Sequence, residues 1–213
     1  MTKMNSKYWD KFYEKPLEEI PWQNVQADWF KTLVDNKTLI GSSSIDLGCG
    51  TGQKSIYLAK HRAFSDVIVV DISKRAIEIA MQNTEKASVE CTFVCANATN
   101  WSFIEADKTF DFILDWANLH GISADKRDTY IEGINQHSHN GTLMLIRTFS
   151  SRDHGLEHFD IVRNDESIRH YVFAKEKLTR LFPKFKVLMS NHSELERSPR
   201  EGIFMLEVLL EKL

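Results

Sequence analysis

Little in this chain of 213 residues points to a staple or an anchor. It has three cysteines, Cys49, Cys91 and Cys95. An odd, sparse set excludes a disulfide framework and suits a reducing compartment. Cys91 and Cys95 fall on one face of an apolar stretch, which predicts buried thiols. No apolar run reaches the roughly 20 residues that a membrane-spanning helix needs. The opening residues 1–7 lack the apolar core of a signal peptide. No membrane partner is expected, and the expected location is the cytoplasm. Neither sign of charge dominates: 27 Lys and Arg stand against 30 Asp and Glu, for a net charge of −3. That weighs against a nucleic-acid partner, which usually calls for a basic face. His154 and His158 are four apart, and His137 and His139 two apart. Both spacings occur in zinc sites, but no third ligand accompanies them, so no metal is expected.

What remains is ordinary globular material, 42% hydrophobic and 27% charged. It is enough for one domain spanning 1–213 with a core of its own. Over 1–40 the apolar pattern is helical and reads as a cap segment. Residues 8–14 form a short aromatic helix stopped by Pro16. Pro21 and Trp22 follow in a loop. Val25, Trp29, Phe30, Leu33 and Val34 share a helical spacing over 25–37. Beyond it, strands are expected at 44–48, 66–71, 89–96, 110–115 and 142–149, with helices at 55–60, 74–85 and 125–135. Such alternation builds parallel βαβ units with right-handed crossovers and helices on both faces. Residues 150–170 are polar and irregular and are expected to form a substrate-side loop or lid. A helix at 175–182 ends before Pro183. Strands at 185–189 and 203–210 lie close enough to pair antiparallel. The expected fold is α/β: a doubly wound, mostly parallel seven-stranded sheet closed by an antiparallel C-terminal hairpin.

The richest segment is Ile45-Asp46-Leu47-Gly48-Cys49-Gly50-Thr51-Gly52. Glycines after a strand permit positive φ and close approach of a ligand to the backbone. The helix that follows offers unpaired N–H groups and the positive end of its dipole. Dinucleotide folds seat pyrophosphate here with G-x-G-x-x-G. Counted from Gly48, the third glycine of that pattern would be residue 53, which is Gln. The spacing therefore disfavours a nicotinamide or flavin dinucleotide. Asp71 ends the next strand, where α/β folds of this topology face their ligand crevice. A carboxylate there accepts two hydrogen bonds from a ribose diol. In the alternative reading, Asp71 or Ser73 caps the following helix.

Asp-Leu-Gly-Cys-Gly-Thr-Gly with the downstream Val-Val-Asp resembles the signature of class I S-adenosylmethionine-dependent methyltransferases, which have Rossmann-like folds. The resemblance runs over roughly 8–210 and is strongest in 44–72. It implies S-adenosylmethionine as cofactor, with S-adenosylhomocysteine as product. It implies that Gly48, Cys49, Gly50 and Gly52 cradle the methionine half, supported by Asp46. Asp71 and Ile72 would contact the ribose and adenine. The third element, Cys95-Ala96-Asn97-Ala98, would hold the adenine through Asn97 and Ala98. The family often has Asp at the position of Asn97, whose side-chain oxygen can still accept from an adenine amino group. The run 111–116 resembles the fourth strand, ending beside the transferred methyl, so Asp115 is expected to face the cofactor's ammonium or sulfonium.

Tyr8-Trp9-Asp10 through Pro21-Trp22, and residues 171–178, resemble the thiopurine, thiol/halide and tellurite-resistance methyltransferases. That implies a small-molecule acceptor and a cofactor covered by an aromatic side chain, assigned to Trp22. Amino-methylating nucleic-acid enzymes carry a Pro-Pro run after strand four, which this chain lacks. Transfer from a sulfonium is an in-line displacement, helped mainly by alignment, which can supply roughly 7–11 kcal/mol. A soft thiolate needs no base, whereas a hydroxyl or carboxyl acceptor calls for one. His120, just after strand four, is the candidate. Arg147, Arg152, His154 and His158 lie where they could recognise an anionic acceptor. The alternatives are a methyltransferase acting on protein or RNA, and a non-catalytic S-adenosylmethionine-binding protein. A monomer or homodimer is expected.

Overall fold

The computed structural model describes residues 5–20, 22–23, 27–163, 166–195 and 201–213. Helix α1 (Ser6–Tyr13) begins at Asn5, whose side chain accepts from Tyr8 N–H at 3.0 Å. Helix α2 (Asp28–Asp35) buries Phe30, Leu33 and Val34 on one stripe. The expectation for Val25 lies outside the described residues. The alternating region then runs β1 (Ser43–Leu47), α3 (Gln53–Lys60), β2 (Asp66–Asp71), α4 (Lys74–Ala87), β3 (Thr92–Cys95), β4 (Phe110–Trp116), α5 (Ala124–Gln136) and β5 (Ser138–Ser151). The tail adds β6 (His158–Arg163), β7 (Glu166–Tyr171), α6 (Lys175–Leu181), β8 (Phe185–Ser193) and β9 (Ile203–Lys212).

Seven strands form one sheet in the order β3-β2-β1-β4-β5-β9-β8. The first five are parallel neighbours, while β9 runs antiparallel to β5 and β8. The expected mostly parallel sheet and its antiparallel closure are both present. Strand alternation loads two apolar layers. Ile68 and Val70 of β2 face one layer with Tyr130 and Ile134 of α5, Leu178 of α6 and Phe182 just after it. Val67 and Val69 face the other, with Phe30, Leu33 and Leu58 from α2 and α3. Burying both faces explains why β2 reads as a continuous apolar run. The order reverses between β1 and β4. A doubly wound sheet opens its ligand crevice at such a switch, beyond the carboxyl ends of the strands.

Two expectations need correction. Residues 150–170 are not an irregular lid: β6 and β7 pair antiparallel, with Phe159 opposite His170 and Ile161 opposite Ile168. On the opposite face, Asp160 pairs with Arg169 at 3.1 Å. That period-two pattern lies between stretches of charge, which hid it. Cys91 and Cys95 do not form a buried pair. Cys91 precedes β3 and is half-buried, and Cys95 is exposed. Among the described residues, no helix is long and apolar enough to cross a membrane.

Candidate functional site

The turn after β1 is built from backbone. Gly48, Gly50 and Gly52 have φ of +80°, +56° and +78°, the left-handed region that side chains resist. Space forbids side chains too. A Cβ on Gly50 would lie 2.9 Å from the Tyr13 hydroxyl, and one on Gly48 would lie 3.0 Å from the Asn118 side chain. Gly48 and Cys49 donate to the Val70 carbonyl at 2.8 and 3.0 Å, tying the turn to β2. The Cys49 side chain packs against the α2–α3 layer. Burial, with Asp71 and Asp46 nearby, holds the thiol protonated. The Cys49 carbonyl accepts from Gly52 N–H at 3.0 Å, closing the turn on itself.

Two acids flank this turn. Asp46, in the middle of β1, is 3% exposed, and its Oδ2 accepts from Ser55 Oγ of α3. Its Oδ1 is buried without a hydrogen-bond partner among the described residues. Burial, only partly offset by Ser55 and Lys54, pushes its pKa up to about 7. Asp71 accepts from Gly50 N–H at 2.8 Å through Oδ2 and from Ser73 N–H at 2.8 Å through Oδ1. It thus clamps the glycine turn to the start of α4. Burial raises its pKa to about 6 against the pull of those N–H groups. The N-cap of α4 is Ser73, whose Oγ accepts from Ala76 N–H at 3.0 Å. Ile72 lies half-buried between Asp71 and Ser73.

Three expected contacts sit differently from the sequence reading. Trp22 packs among Trp9, Phe12 and Tyr13, and its Nε1 donates to the Tyr13 hydroxyl at 3.3 Å. Tyr13 is the ring that reaches the glycine turn, with Trp22 behind it. Asn97 is exposed, and its Oδ1 accepts from both Thr99 N–H and Thr99 Oγ1 at 2.9 Å. The oxygen expected to meet an adenine is thus turned into its own loop; Ala98 beside it is buried. Asp115 is 1% exposed and gives both oxygens to the chain. Oδ1 takes Asn118 and Leu119 N–H at 2.9 and 3.0 Å, and Oδ2 takes the Tyr130 hydroxyl at 2.6 Å. Burial raises its pKa to about 6. Asp115 shapes the loop after β4 through these three bonds.

That loop carries His120, in a 3₁₀ turn over Leu119–Gly121. The imidazole is 7% exposed, with its ring 4.2 Å from Phe149 of β5 and 5.2 Å from His170 of β7. Burial, with His170 and Arg147 nearby, drives its pKa well below 6.5, so the ring is neutral. Its Nδ1 is buried with no partner among the described residues. At the base of the loop, Ala117 has φ of +71° and donates to the Arg147 carbonyl at 2.8 Å. A left-handed alanine is strained, and strain of this kind gathers at functional sites.

The sequence reading missed Asp10 and Tyr13. Asp10 Oδ1 accepts from Ser73 Oγ at 2.6 Å and Arg75 N–H at 3.1 Å, docking α1 on the start of α4. Nothing local marks Asp10 for this; its partners are more than sixty residues away. A roof forms over the same end of the sheet, where Ile168 of β7 packs with Tyr8 and Phe12 of α1. Among the described residues, no group of three or more metal-ligating side chains gathers.

Residues 45–141 match the family model described as a methyltransferase domain. A curated relative, the ribosomal protein L11 methyltransferase of Thermotoga petrophila, is 29% identical over 108 residues. That match takes in 50% of this chain and 36% of the relative, so the chain spans about a third of that protein. A solved 1,6-didemethyltoxoflavin-N1-methyltransferase from Burkholderia thailandensis, with its acceptor and S-adenosylhomocysteine bound, superposes with a TM-score of 0.75. It is 18% identical, with 97% of this chain and 86% of that one covered. TehB from Haemophilus influenzae superposes with a TM-score of 0.67 at 20% identity, covering 98% of this chain and 67% of that one. Residues 45–141 thus match a methyltransferase-domain model, and the chain has the fold of solved S-adenosylmethionine-dependent methyltransferases.

Proposed function

We propose that this protein transfers the methyl group of S-adenosylmethionine to a small-molecule acceptor. The observation that carries the cofactor half is the unpaired, buried Oδ1 of Asp46 beside a turn of three left-handed glycines. Such an atom costs free energy unless a donor arrives. The cofactor's methionine end carries an ammonium group, a donor of matching charge. The open backbone at Gly48 and Gly50 suits the same end. Asp71 keeps lone pairs beyond the two N–H bonds it accepts, so it can also take a ribose hydroxyl. Ile72 and the chain around Ala98 flank the adenine side, with Tyr13 over the turn in the role first given to Trp22.

When bound, the cofactor supplies an electrophilic methyl on a sulfonium. The protein's own work is alignment and handling of the acceptor's proton. Asp115, tied to Asn118, Leu119 and Tyr130, fixes the loop that presents His120 and acts as a positioning residue. Burial holds His120 neutral, so one of its ring nitrogens keeps a lone pair that can take a proton from a hydroxyl or carboxyl acceptor during transfer. An acceptor that is already an anion, such as a thiolate, needs only the alignment.

Support for a small acceptor comes from the roof of β7 on α1 and from the net charge of −3. The second reading, a protein acceptor, is favoured by the ribosomal-protein methyltransferase among the relatives. The test uses the intact protein with methyl-tritiated S-adenosylmethionine and a cell extract divided by size. Label in the low-mass fraction is expected. Label in the protein fraction would establish the second reading, and label in neither would leave the cofactor-binding protein without catalysis.

A further inference from the structure

Buried cations are tolerated when each has an anion. At the carboxyl ends of β4 and β5, this protein gathers two cations on one indole. The Arg147 guanidinium carbon lies 5.1 Å from the Trp116 ring centroid, and Lys54 Nζ lies 5.3 Å from it. Trp116 and Arg147 are partners in the β4–β5 register. Lys54 comes from the first turn of α3, directly after the glycine turn. The Arg147 side chain is 6% exposed, and its Nε donates to Glu207 Oε1 of β9 at 3.1 Å. Glu207 is steadied in turn by Asn191 Nδ2 at 3.1 Å and Ser193 Oγ at 3.4 Å.

This grip is one-sided. Glu207 takes Nε and Trp116 covers the guanidinium, while among the described residues the two terminal nitrogens make no hydrogen bond. Nor does Lys54 Nζ, whose neighbours are Trp116 and the field of Asp46. Two cations thus lie beside Glu207, bonded to Arg147, and Asp46, whose pKa of about 7 leaves it half-protonated near neutrality. Burial, together with repulsion from Arg147, lowers the Lys54 pKa to about 8, against the pull of Asp46. The arrangement is an anion short. It also lies on the His120 side of the sheet. Arg147 is two residues from Phe149, the ring that contacts His120, and its charge reaches the imidazole.

We propose that Arg147 and Lys54 form a carboxylate-binding subsite, and that the methyl acceptor is a small organic acid docked there with its nucleophilic atom toward His120. A guanidinium held through Nε leaves its two terminal nitrogens to meet a carboxylate in a two-pronged contact. Lys54 adds the second charge. This names the acceptor class and rests on the methyltransferase reading above.

The test is calorimetric titration of the protein loaded with S-adenosylhomocysteine, at low ionic strength, using sodium benzoate as probe and benzyl alcohol as its uncharged control. Benzoate is expected to bind at least tenfold more tightly than benzyl alcohol. Lys54→Gln is expected to weaken benzoate at least fivefold and S-adenosylhomocysteine by less than that, the second effect arising through Asp46. Arg147→Gln, made with Glu207→Gln so that no lone buried charge remains, should weaken benzoate by tenfold or more. Absent benzoate binding, parity with benzyl alcohol, or benzoate binding indifferent to the variants would overturn the subsite. A further outcome separates the two sources of a carboxylate. If the variants weaken S-adenosylhomocysteine tenfold but spare 5′-methylthioadenosine, which lacks that group, the cations serve the cofactor and the acceptor claim falls. Failure of the unaltered protein to bind S-adenosylhomocysteine is a different result, which removes the functional reading itself.

Discussion

Around β1 and β2 the groups that face the crevice are neighbours in sequence: Asp71 reaches Gly50 across 21 residues. Around β5 and β9 they are not: Arg147 and Glu207 are 60 residues apart. The first region is mostly backbone, held in left-handed turns and clamped by one acid. The second is side chains, with a buried ion pair, an imidazole tilted against Phe149 and a hairpin beside them. A backbone cradle must be written as a contiguous motif, because its glycines have to follow one another. A side-chain pocket needs no such contiguity, since any strand of the sheet can supply a member. A fold can keep such a cradle while its side-chain pocket varies, so on the proposed function the acceptor would be chosen around β5 and β9.

If the regions are separable, variants should divide between them. The largest effect is expected from Glu207→Ala, which strands the buried Arg147 charge. Stability should fall by about 3–5 kcal/mol in chemical denaturation, with S-adenosylhomocysteine affinity retained by the folded fraction. A loss below about 1 kcal/mol would mean that solvent reaches the pair. Next is Asp71→Ala, which frees two N–H groups and removes a ribose partner. Each lost charge-assisted bond is worth about 1.5–3 kcal/mol, so S-adenosylhomocysteine affinity should drop at least tenfold by calorimetry. Unchanged affinity would remove Asp71 from the site.

His120→Ala should divide the regions in the other direction. Turnover on an acceptor that must lose a proton should fall about 100-fold, with cofactor affinity unaltered. Normal turnover on such an acceptor would end the role of the imidazole. The smallest effect is a pH dependence. Asp46 has a folded pKa of about 7, above its ordinary value of 3.8. The folded protein therefore binds this proton more tightly than the unfolded chain, and ionisation costs stability as pH rises from about 4 to about 7. A cationic ammonium reverses that preference, so S-adenosylhomocysteine affinity should rise about fivefold between pH 6 and pH 8. Asp46→Asn should flatten the profile, and a slope that survives this change would assign it to another group.

The legibility of the chain follows the same division. The mostly parallel sheet, its antiparallel closure and the glycine turn are legible because apolar periodicity and turn chemistry are local, whereas the strand order is not. Asp71 was readable for its place at a strand end, though not for its grip on Gly50. The β6–β7 hairpin was missed because outward Asp160 and Arg169 alternate with inward Phe159 and His170, and the charges dominated the reading. The bond from the Tyr130 hydroxyl to Asp115 is not legible in the sequence, because the two lie 15 residues apart on different elements. Sequence does not tell which ring of the aromatic cluster reaches the glycine turn; in the structure the Tyr13 hydroxyl does.

The most direct test of the whole account is calorimetric titration of the intact protein with S-adenosylhomocysteine, with NADH titrated in parallel. Micromolar binding of S-adenosylhomocysteine alone is the predicted result, and it would fix the glycine turn and Asp46 as a cofactor cradle. Binding of NADH in its place, or of neither, would contradict the account at its base.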